Sequence, residues 1–299
     1  MRILITGILG FIGSALLDAL PKEYHIIGID NLQSQRYSVL FNLPRSLEFY
    51  EEDVTTAPLY RRFKDVDVVI HAAATTDAAG TAGQKDKVWR NNVWSTLNVL
   101  KGCSETGAKL IFPSTTSVYG SQENRVDETC EDLRPQSPYA ESKLACEQAI
   151  RLSDVDSCIL RLGTVYGFSG GVRFHTVVQK FIWSAVTGQD IPLWRTAMMQ
   201  KRPYIHIADA VSAIAHVIHN DLFGKMTYNV LGGNHSPRDV MDIISESRKV
   251  HISLVESKIL NQLSYEVDCS RFMATGWTPK HNLQDGIGEL MSAFKGVNS

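Results

Sequence analysis

The sequence predicts an α/β fold: a doubly wound parallel sheet carrying a smaller C-terminal domain. Three observations predict it. Short apolar runs alternate with helical patterns over the first half of the chain. A glycine trio, Gly7, Gly10 and Gly13, lies directly between the first apolar run and the first helical one. Asp30 stands at the end of the next apolar run, where an acidic residue completes a dinucleotide-binding pattern of Rossmann type.

The elements follow in order. Arg2–Thr6 is a β-branched and leucine run typical of a buried strand, and Ser14–Leu20 reads as a helix ended by Pro21. His25–Asp30, Leu47–Tyr50 and Val66–His71 are the next strands. Trp89–Glu105 is a long amphipathic helix, and Lys109–Pro113 a fifth strand. Pro138–Ser153 is a helix with proline near its start, where a missing N–H costs little. Ser157–Leu162 is a sixth strand. After about Tyr166 the rhythm loosens. Phe174–Thr187 and Asp209–Asn220 read as helices, Ile191–Trp194 and Thr227–Val230 as short strands, and 188–202 otherwise as loop. Residues 1–165 are therefore expected to form the Rossmann domain, with later returns near 203–231, and residues 166–299 mainly a second domain.

The 299 residues carry 30 Lys and Arg against 32 Asp and Glu, a net charge of −2, so no basic field exists to hold a nucleic-acid backbone. Five cysteines, at 103, 130, 146, 158 and 269, show no CxxC spacing, and one must stay unpaired. A reduced, cytoplasmic setting fits them best. The N-terminal apolar stretch is too short for a signal peptide or a span, and no other run is long enough to cross a bilayer. The histidines show no spacing backed by cysteines or carboxylates, so no metal site is expected.

The glycine turn suits a pyrophosphate, because glycine lets the backbone approach closely and the helix N-terminus offers open N–H groups. Phe11 and Ile12 belong to the same turn. Asp30 can accept hydrogen bonds from ribose hydroxyls and would repel a 2′-phosphate, which favours NAD over NADP. Its alternative is a plain turn residue, and Arg36 could still serve NADP.

Tyr139-Ala140-Glu141-Ser142-Lys143 places a phenol and an ammonium on one helical face. A nearby Lys⁺ is expected to lower the phenol's pKa into the working range of a base. Alone, the pair usually marks a solvated helix face; after the fifth strand of a dinucleotide fold it marks an acid–base. Ser114, Thr115, Thr116 and Ser117 stand at that strand's carboxyl end, facing the crevice. One of them is expected to orient the reacting oxygen, and the rest to cap the local backbone.

Together these pieces resemble the extended short-chain dehydrogenase/reductases, in particular the nucleotide-sugar epimerase/dehydratase family. The resemblance runs from Thr6-Gly7 through Asp53-Val54, His71-Ala72-Ala73-Ala74 and Asn92-Val93. It continues through Ser114–Gly120, Tyr139–Lys143, Arg161–Gly167 and Arg202–Asp209 to Gly276-Trp277-Thr278-Pro279. It implies a catalytic set of Thr115, Tyr139 and Lys143. It places Asp53 and Val54 at the adenine and Ala72, Ala73 and Ala74 along the cofactor. Asn31, Asn92 and Ser114 join the cofactor set, with Asn92 a structural residue beside the active site. Thr116, Thr164, Arg173 and Arg202 are placed with the substrate, Arg202 on a phosphate. A homodimer paired through the Trp89–Glu105 and Pro138–Ser153 helices is also implied.

Departures from the pattern are informative. The dehydratases' Asp-Glu pair is replaced by Thr116-Ser117, and the Asn expected at 164 by Thr. The glycine-rich turn before Arg202 is replaced by Trp194–Lys201, and a second phosphate-binding arginine, due near Asn261 or Gln262, is missing. Arg173 or Arg195 is left to replace it, unless both are solvated. The functional expectation is NAD-dependent redox chemistry at a sugar hydroxyl, C4 foremost, on a nucleotide-linked sugar. Epimerase ranks ahead of net dehydrogenase and of 4,6-dehydratase. A non-catalytic cofactor sensor is disfavoured by the intact Thr115, Tyr139 and Lys143.

Overall fold

The computed structural model describes residues 1–44, 46–76, 83–248, 250–255 and 265–297. Asn261 and Gln262 lie outside the described residues.

The first half alternates as its apolar periodicity requires. It comprises β1 (Arg2–Thr6), α1 (Phe11–Ala19), β2 (His25–Asp30), β3 (Leu47–Glu51), β4 (Val68–His71), α2 (Lys85–Trp89) and α3 (Ser95–Thr106). Next come β5 (Lys109–Thr115), α4 (Pro138–Leu152), β6 (Ser157–Leu162) and β7 (Thr164–Tyr166). A π turn over Arg90–Trp94 joins α2 to α3, so the long expected helix is one element with a widened turn.

Seven strands form a wholly parallel sheet in the order β3-β2-β1-β4-β5-β6-β10, where β10 is Met226–Val230. Side-chain alternation loads both faces. Ile3 and Ile5 of β1 pack into a core shared with Leu16 of α1 and Ile214, whereas Leu4 faces Val99 of α3 and Ile150 of α4. The chain crosses from one side of β1 to the other between β3 and β4. This reversal opens a crevice at the carboxyl ends of β1 and β4, the place where open α/β sheets bind ligands.

The later elements are α5 (Val177–Val186), β8 (Ile191–Trp194), β9 (Arg202–His206), α6 (Ile207–His219), β11 (Gly233–His235), α7 (Pro237–Ser245), β12 (Ile252–Val255), α8 (Ser270–Met273) and α9 (Leu283–Ala293). The return to the main sheet is made by α6, packed on α1, and by β10. β9 does not join it. That strand lies between β11 and β7 in a separate three-stranded sheet, and β8 pairs with β12 in a third. A second core, with Val178, Ile182, Tyr204, Val240 and Ile287, sits among α5, α7 and α9.

Candidate active site

The glycine turn sets the cradle. Gly7 has φ +69°, and a Cβ there would lie 2.7 Å from the Ala73 backbone, so only glycine lets β1 and β4 close on each other at this point. Helix α1 starts at Phe11, three residues earlier than the sequence pattern suggests. Gly10 is its N-cap and has no side chain to cap it, which leaves the first N–H groups open to a ligand. Asp30 is buried at the end of β2. One carboxylate oxygen accepts the Leu9 N–H at 3.2 Å and the other the Leu32 N–H at 3.0 Å. Each keeps lone-pair capacity for a further donor.

One half of the cleft is lined by Asp30, Asn31, Asp53, Val54, Ala73 and Asn91 among others, the other half by Phe11, Ile12, Gly13, Ser114, Thr115, Tyr139, Lys143 and Thr164 among others. Gly7, Gly10, Arg36, Ala72, Ala74 and Arg173 line both halves, so the two are one continuous groove. The Asp53 carboxylate is held in place by Thr55, whose N–H donates at 2.8 Å and whose hydroxyl donates at 2.7 Å.

The acid–base candidates meet at the floor. Ser137 caps α4, its hydroxyl accepting the Ala140 N–H at 3.2 Å, and Pro138 starts the helix, which presents Tyr139 to the end of β5. The Thr115 hydroxyl lies beside the Tyr139 phenol at the groove wall. Burial pushes the phenol up to about 12, the Thr115 hydroxyl opposing it. The expected lowering by Lys143 is absent from this structure. The Lys143 ammonium instead donates to the Pro113 carbonyl at 2.8 Å and lies 4.2 Å from the Phe112 ring centre. Burial brings it down to about 8. Beneath it, His71 is wholly buried between Thr6 Oγ1 at 2.7 Å and Thr96 Oγ1 at 3.1 Å. Burial, then the Lys143 charge, lowers His71 to about 3 and keeps it neutral.

Four residues that the resemblance places at the site are engaged with protein groups or lie off the groove, Asn92 in the structural role expected of it. Asn92 is buried and accepts the Thr75 N–H at 2.7 Å, while its amide N–H donates to Thr75 O at 3.1 Å and Ser142 Oγ at 2.9 Å. That is bracing between the loop after β4 and α4, and Asn91 lines the cleft in its place. Thr116 turns inward and donates to Leu162 O at 3.3 Å, because the turn after β5 exchanges it for Ser117 at the cleft wall. Ser114 lines the cleft but spends its proton on Glu147, at 2.6 Å. Glu147 in turn holds Arg161 in a fully buried ion pair at 2.8 Å. Arg202 lies off the groove, its guanidinium 5.3 Å from the Tyr265 ring centre.

Sequence reasoning did not single out Thr76 or His175 as site residues, though both line the groove. Neither carries a motif; each arrives on a loop whose path only the fold defines.

The model of the NAD dependent epimerase/dehydratase family matches residues 3–230. The chain belongs to that family. It is 26% identical to the UDP-glucuronic acid 4-epimerase of Bacillus cereus, solved with UDP-glucuronic acid and NAD, with a TM-score of 0.88 over 99% of both chains. It is 27% identical to the Thermus thermophilus UDP-glucose 4-epimerase, solved with NAD, with a TM-score of 0.87 over 99% of both chains. It is also 27% identical to a trifunctional UDP-glucose 4,6-dehydratase/UDP-4-keto-6-deoxy-D-glucose 3,5-epimerase/UDP-4-keto-L-rhamnose-reductase of Arabidopsis thaliana. That match takes in 98% of this chain but 47% of the plant enzyme, so the chain spans about half the length of this relative. The cradle fits the family's cofactor: an uncapped helix start, a backbone approach that a Cβ would block, and a buried carboxylate at the end of β2 that can accept a further donor. Among the described residues, no helix is long and apolar enough to cross a membrane.

Proposed function

We propose that this family member is an NAD-dependent 4-epimerase of a nucleotide-linked sugar, with UDP-hexoses as the first substrates to try. One observation carries the reading: the Thr115–Tyr139 hydroxyl pair stands in the same groove as the dinucleotide cradle. Gly10, Phe11 and Ile12 would hold the pyrophosphate, Asp30 the adenosine ribose, and Asp53 and Val54 the adenine edge. Bound there, nicotinamide supplies the acceptor and donor of hydride. The protein's own part is the proton: Thr115 would orient the sugar hydroxyl, and Tyr139 would take and return its proton as the phenolate, a form that needs the positive charge of the bound oxidised nicotinamide because burial alone holds the phenol near 12. Thr164 and Ser117 line the space beside them.

The dehydrogenase alternative needs the same groups and differs only in releasing the ketone. A dehydratase needs a further acid–base pair. Among the described residues, the groove half that holds Tyr139 has no Asp or Glu in its lining. The deciding experiment is a screen of nucleotide sugars by mass spectrometry in deuterium oxide. An unchanged product mass with inverted C4 supports the proposal, and loss of water overturns it.

Residues 1–165 together with α6 and β10 are assigned to the cofactor, and most of 166–299 to the substrate. The proposal includes a cytoplasmic setting, suited to five free cysteines. It also includes a homodimer. Trp89, Trp94 and Leu97 stay exposed along α2, the π turn and α3, a line of apolar side chains that a second copy would cover. Light scattering at micromolar concentration tests the dimer.

A further inference from the structure

Helix α4 carries a buried negative charge that the reaction leaves unused. Lys143 and Glu147 lie one turn apart on one face of it, and both are buried. They fasten consecutive residues of β5. The Lys143 ammonium donates to the Pro113 carbonyl at 2.8 Å, and Glu147 accepts the Ser114 hydroxyl at 2.6 Å. Thr115, the next residue, stands beside the Tyr139 phenol. The strand end that presents Thr115 is thus held by the helix that also carries Tyr139.

The carboxylate is itself fixed from the next strand. Arg161 of β6 pairs in register with Ser114 and donates to both carboxylate oxygens, its Nε at 3.1 and 3.2 Å and a terminal nitrogen at 2.8 Å. Arg151, one turn further along α4 and exposed, donates at 2.9 Å. Asp30 and Asp209, the other buried carboxylates among the described residues, stand at the end of β2 and near the start of α6. Lys143, Arg161 and Glu147 therefore make a buried group of two cations and one acid. An ion pair this deep adds little stability over apolar side chains of the same size. Its place one turn from Lys143 gives it another use, because burial on its own drives an ammonium to lose its proton. Burial does bring Lys143 down, to about 8, with Cys146 and Glu147 opposing.

We propose that Glu147 is a positioning residue: without lining the groove, it holds the end of β5 through Ser114 and stands as the buried counter-charge that keeps the Lys143 ammonium at the Pro113 carbonyl. This rests on the reading of the groove as an NAD site and of Lys143 as a cofactor contact. Between pH 6 and 8 the other groups facing the lysine hold still. His71 of β4 is neutral, lowered to about 3, and burial raises the Tyr139 phenol and the Cys146 thiol of α4. His175 lines the groove in every variant alike.

The test is the NAD affinity of the full chain, by calorimetric titration between pH 6 and 8.5. Wild-type affinity should be whole at pH 6 and fall as the lysine loses its proton, by ~2-fold at pH 8. Glu147→Gln keeps the shape and removes the charge, so the lysine loses its proton sooner. The fall should come about one pH unit lower and reach ~10-fold at pH 8. Arg161→Gln breaks the same ion pair but leaves the carboxylate, with Ser114 and Arg151 still on it. Its fall should come at the wild-type pH or above, whereas a pair that served the fold alone would make the two variants alike. Glu147→Gln/Arg161→Met leaves neither buried partner unpaired and covers the case of a single variant that does not fold. It should show the early fall too. A fall at the wild-type pH in that double variant, or an equal displacement in Glu147→Gln and Arg161→Gln, overturns the proposal. Wild-type affinity that stays flat to pH 8.5 overturns the Lys143 reading, and a wild-type chain that takes up no NAD overturns the cofactor reading, each taking the proposal with it.

Discussion

The ammonium of Lys143 donates to the carbonyl of Pro113, two residues before Thr115 on the same strand. The lysine is therefore anchored to the strand end and not to the phenol. Its positive charge sits at the groove wall, buried against the Phe112 ring. Lys143→Met keeps the bulk and removes the charge. Turnover is expected to fall at least ~10-fold with a loss of NAD affinity of the same order, one charge-assisted bond's worth. Thermal stability of the cofactor-free chain is expected not to fall, because a buried ammonium brought down to about 8 is a cost to folding. Calorimetric titration of NAD beside a melting curve checks both; an unchanged NAD affinity would rule out the cofactor role.

Tyr139→Phe removes the proton-carrying oxygen and leaves the ring in place. Turnover should drop by at least ~10²-fold, the usual size for a general acid–base group. NAD affinity should hardly move, since the ring and the rest of the groove lining are kept. Burial holds the phenol near 12 in the cofactor-free chain, so absorbance at the tyrosinate band should show no ionisation of Tyr139 near neutral pH. The control is the difference spectrum against Tyr139→Phe. A neutral-pH ionisation missing only from that variant would contradict the burial argument.

The reasons for success and failure of the sequence reading are physical. β1, β2 and β6 have the bounds read from the sequence because buried parallel strands are apolar on both faces and end at glycine or an acid. β9 was hidden by its composition: Arg202-Pro203-Tyr204 carries a charge and a proline, and its pairing partners in β7 and β11 are three-residue strands. α7 did leave a signal, since Ser236 and Asp239 form a reciprocal capping box with Pro237 inside it. In the site, Gly7, Asp30 and Tyr139 are legible because backbone geometry or chemistry admits few substitutes. Thr116 and Ser117 are not distinguishable by type; the tight turn after β5 decides which faces the groove. Arg173 has no spacing signal, because its place depends on how a strap from the second domain lies on α1.

The carboxylate of Asp30 gives a cofactor prediction. NAD should bind more tightly than NADP, since a 2′-phosphate would meet a buried acid already fixed by the Leu9 and Leu32 N–H groups. Asp30→Asn should narrow the preference to within ~10-fold by removing the repulsion, about 1.4 kcal/mol per decade. Titration of both dinucleotides by calorimetry measures this. Equal or tighter NADP binding by the wild type would sink the assignment.

His71 ties stability to pH. Its folded-state value of about 3 lies below the ordinary 6.5, so between these values the unfolded chain binds a proton that the folded chain does not. The contribution is whole above about 6.5 and is lost as pH falls through the window. Its slope is at most ~1.4 kcal/mol per pH unit. Urea unfolding at pH 7 and 5.5 should show the wild type losing more stability than His71→Asn, which does not titrate. Parallel losses in the two proteins would mean that the histidine is not the cause.

The nature of the product follows from what surrounds the reacting carbon. Oxidising a hydroxyl and returning the hydride needs one base, one orienting hydroxyl and one dinucleotide, all of which the groove can bring together. Elimination of water needs a base for the proton beside the new ketone and an acid for the leaving hydroxyl. Thr116 points into the protein, and Ser117 offers a neutral hydroxyl that cannot take a proton at neutral pH. Glu123 and Asp127 are exposed and off the groove, and the Asp127 carboxylate is occupied by the N–H and hydroxyl of Thr129 at 2.8 and 2.5 Å. His175 is the one further titratable side chain in this lining besides Tyr139, Lys143 and the two arginines, among the described residues, and it lies exposed on the loop between β7 and α5. With its correct sugar nucleotide, the product should have unchanged mass, or mass lower by two hydrogens if the ketone escapes. His175→Asn should leave that pattern unaltered. A product lighter by one water, formed at a steady catalytic rate and abolished in His175→Asn, would show that this loop supplies the missing acid or base and that the enzyme is a dehydratase.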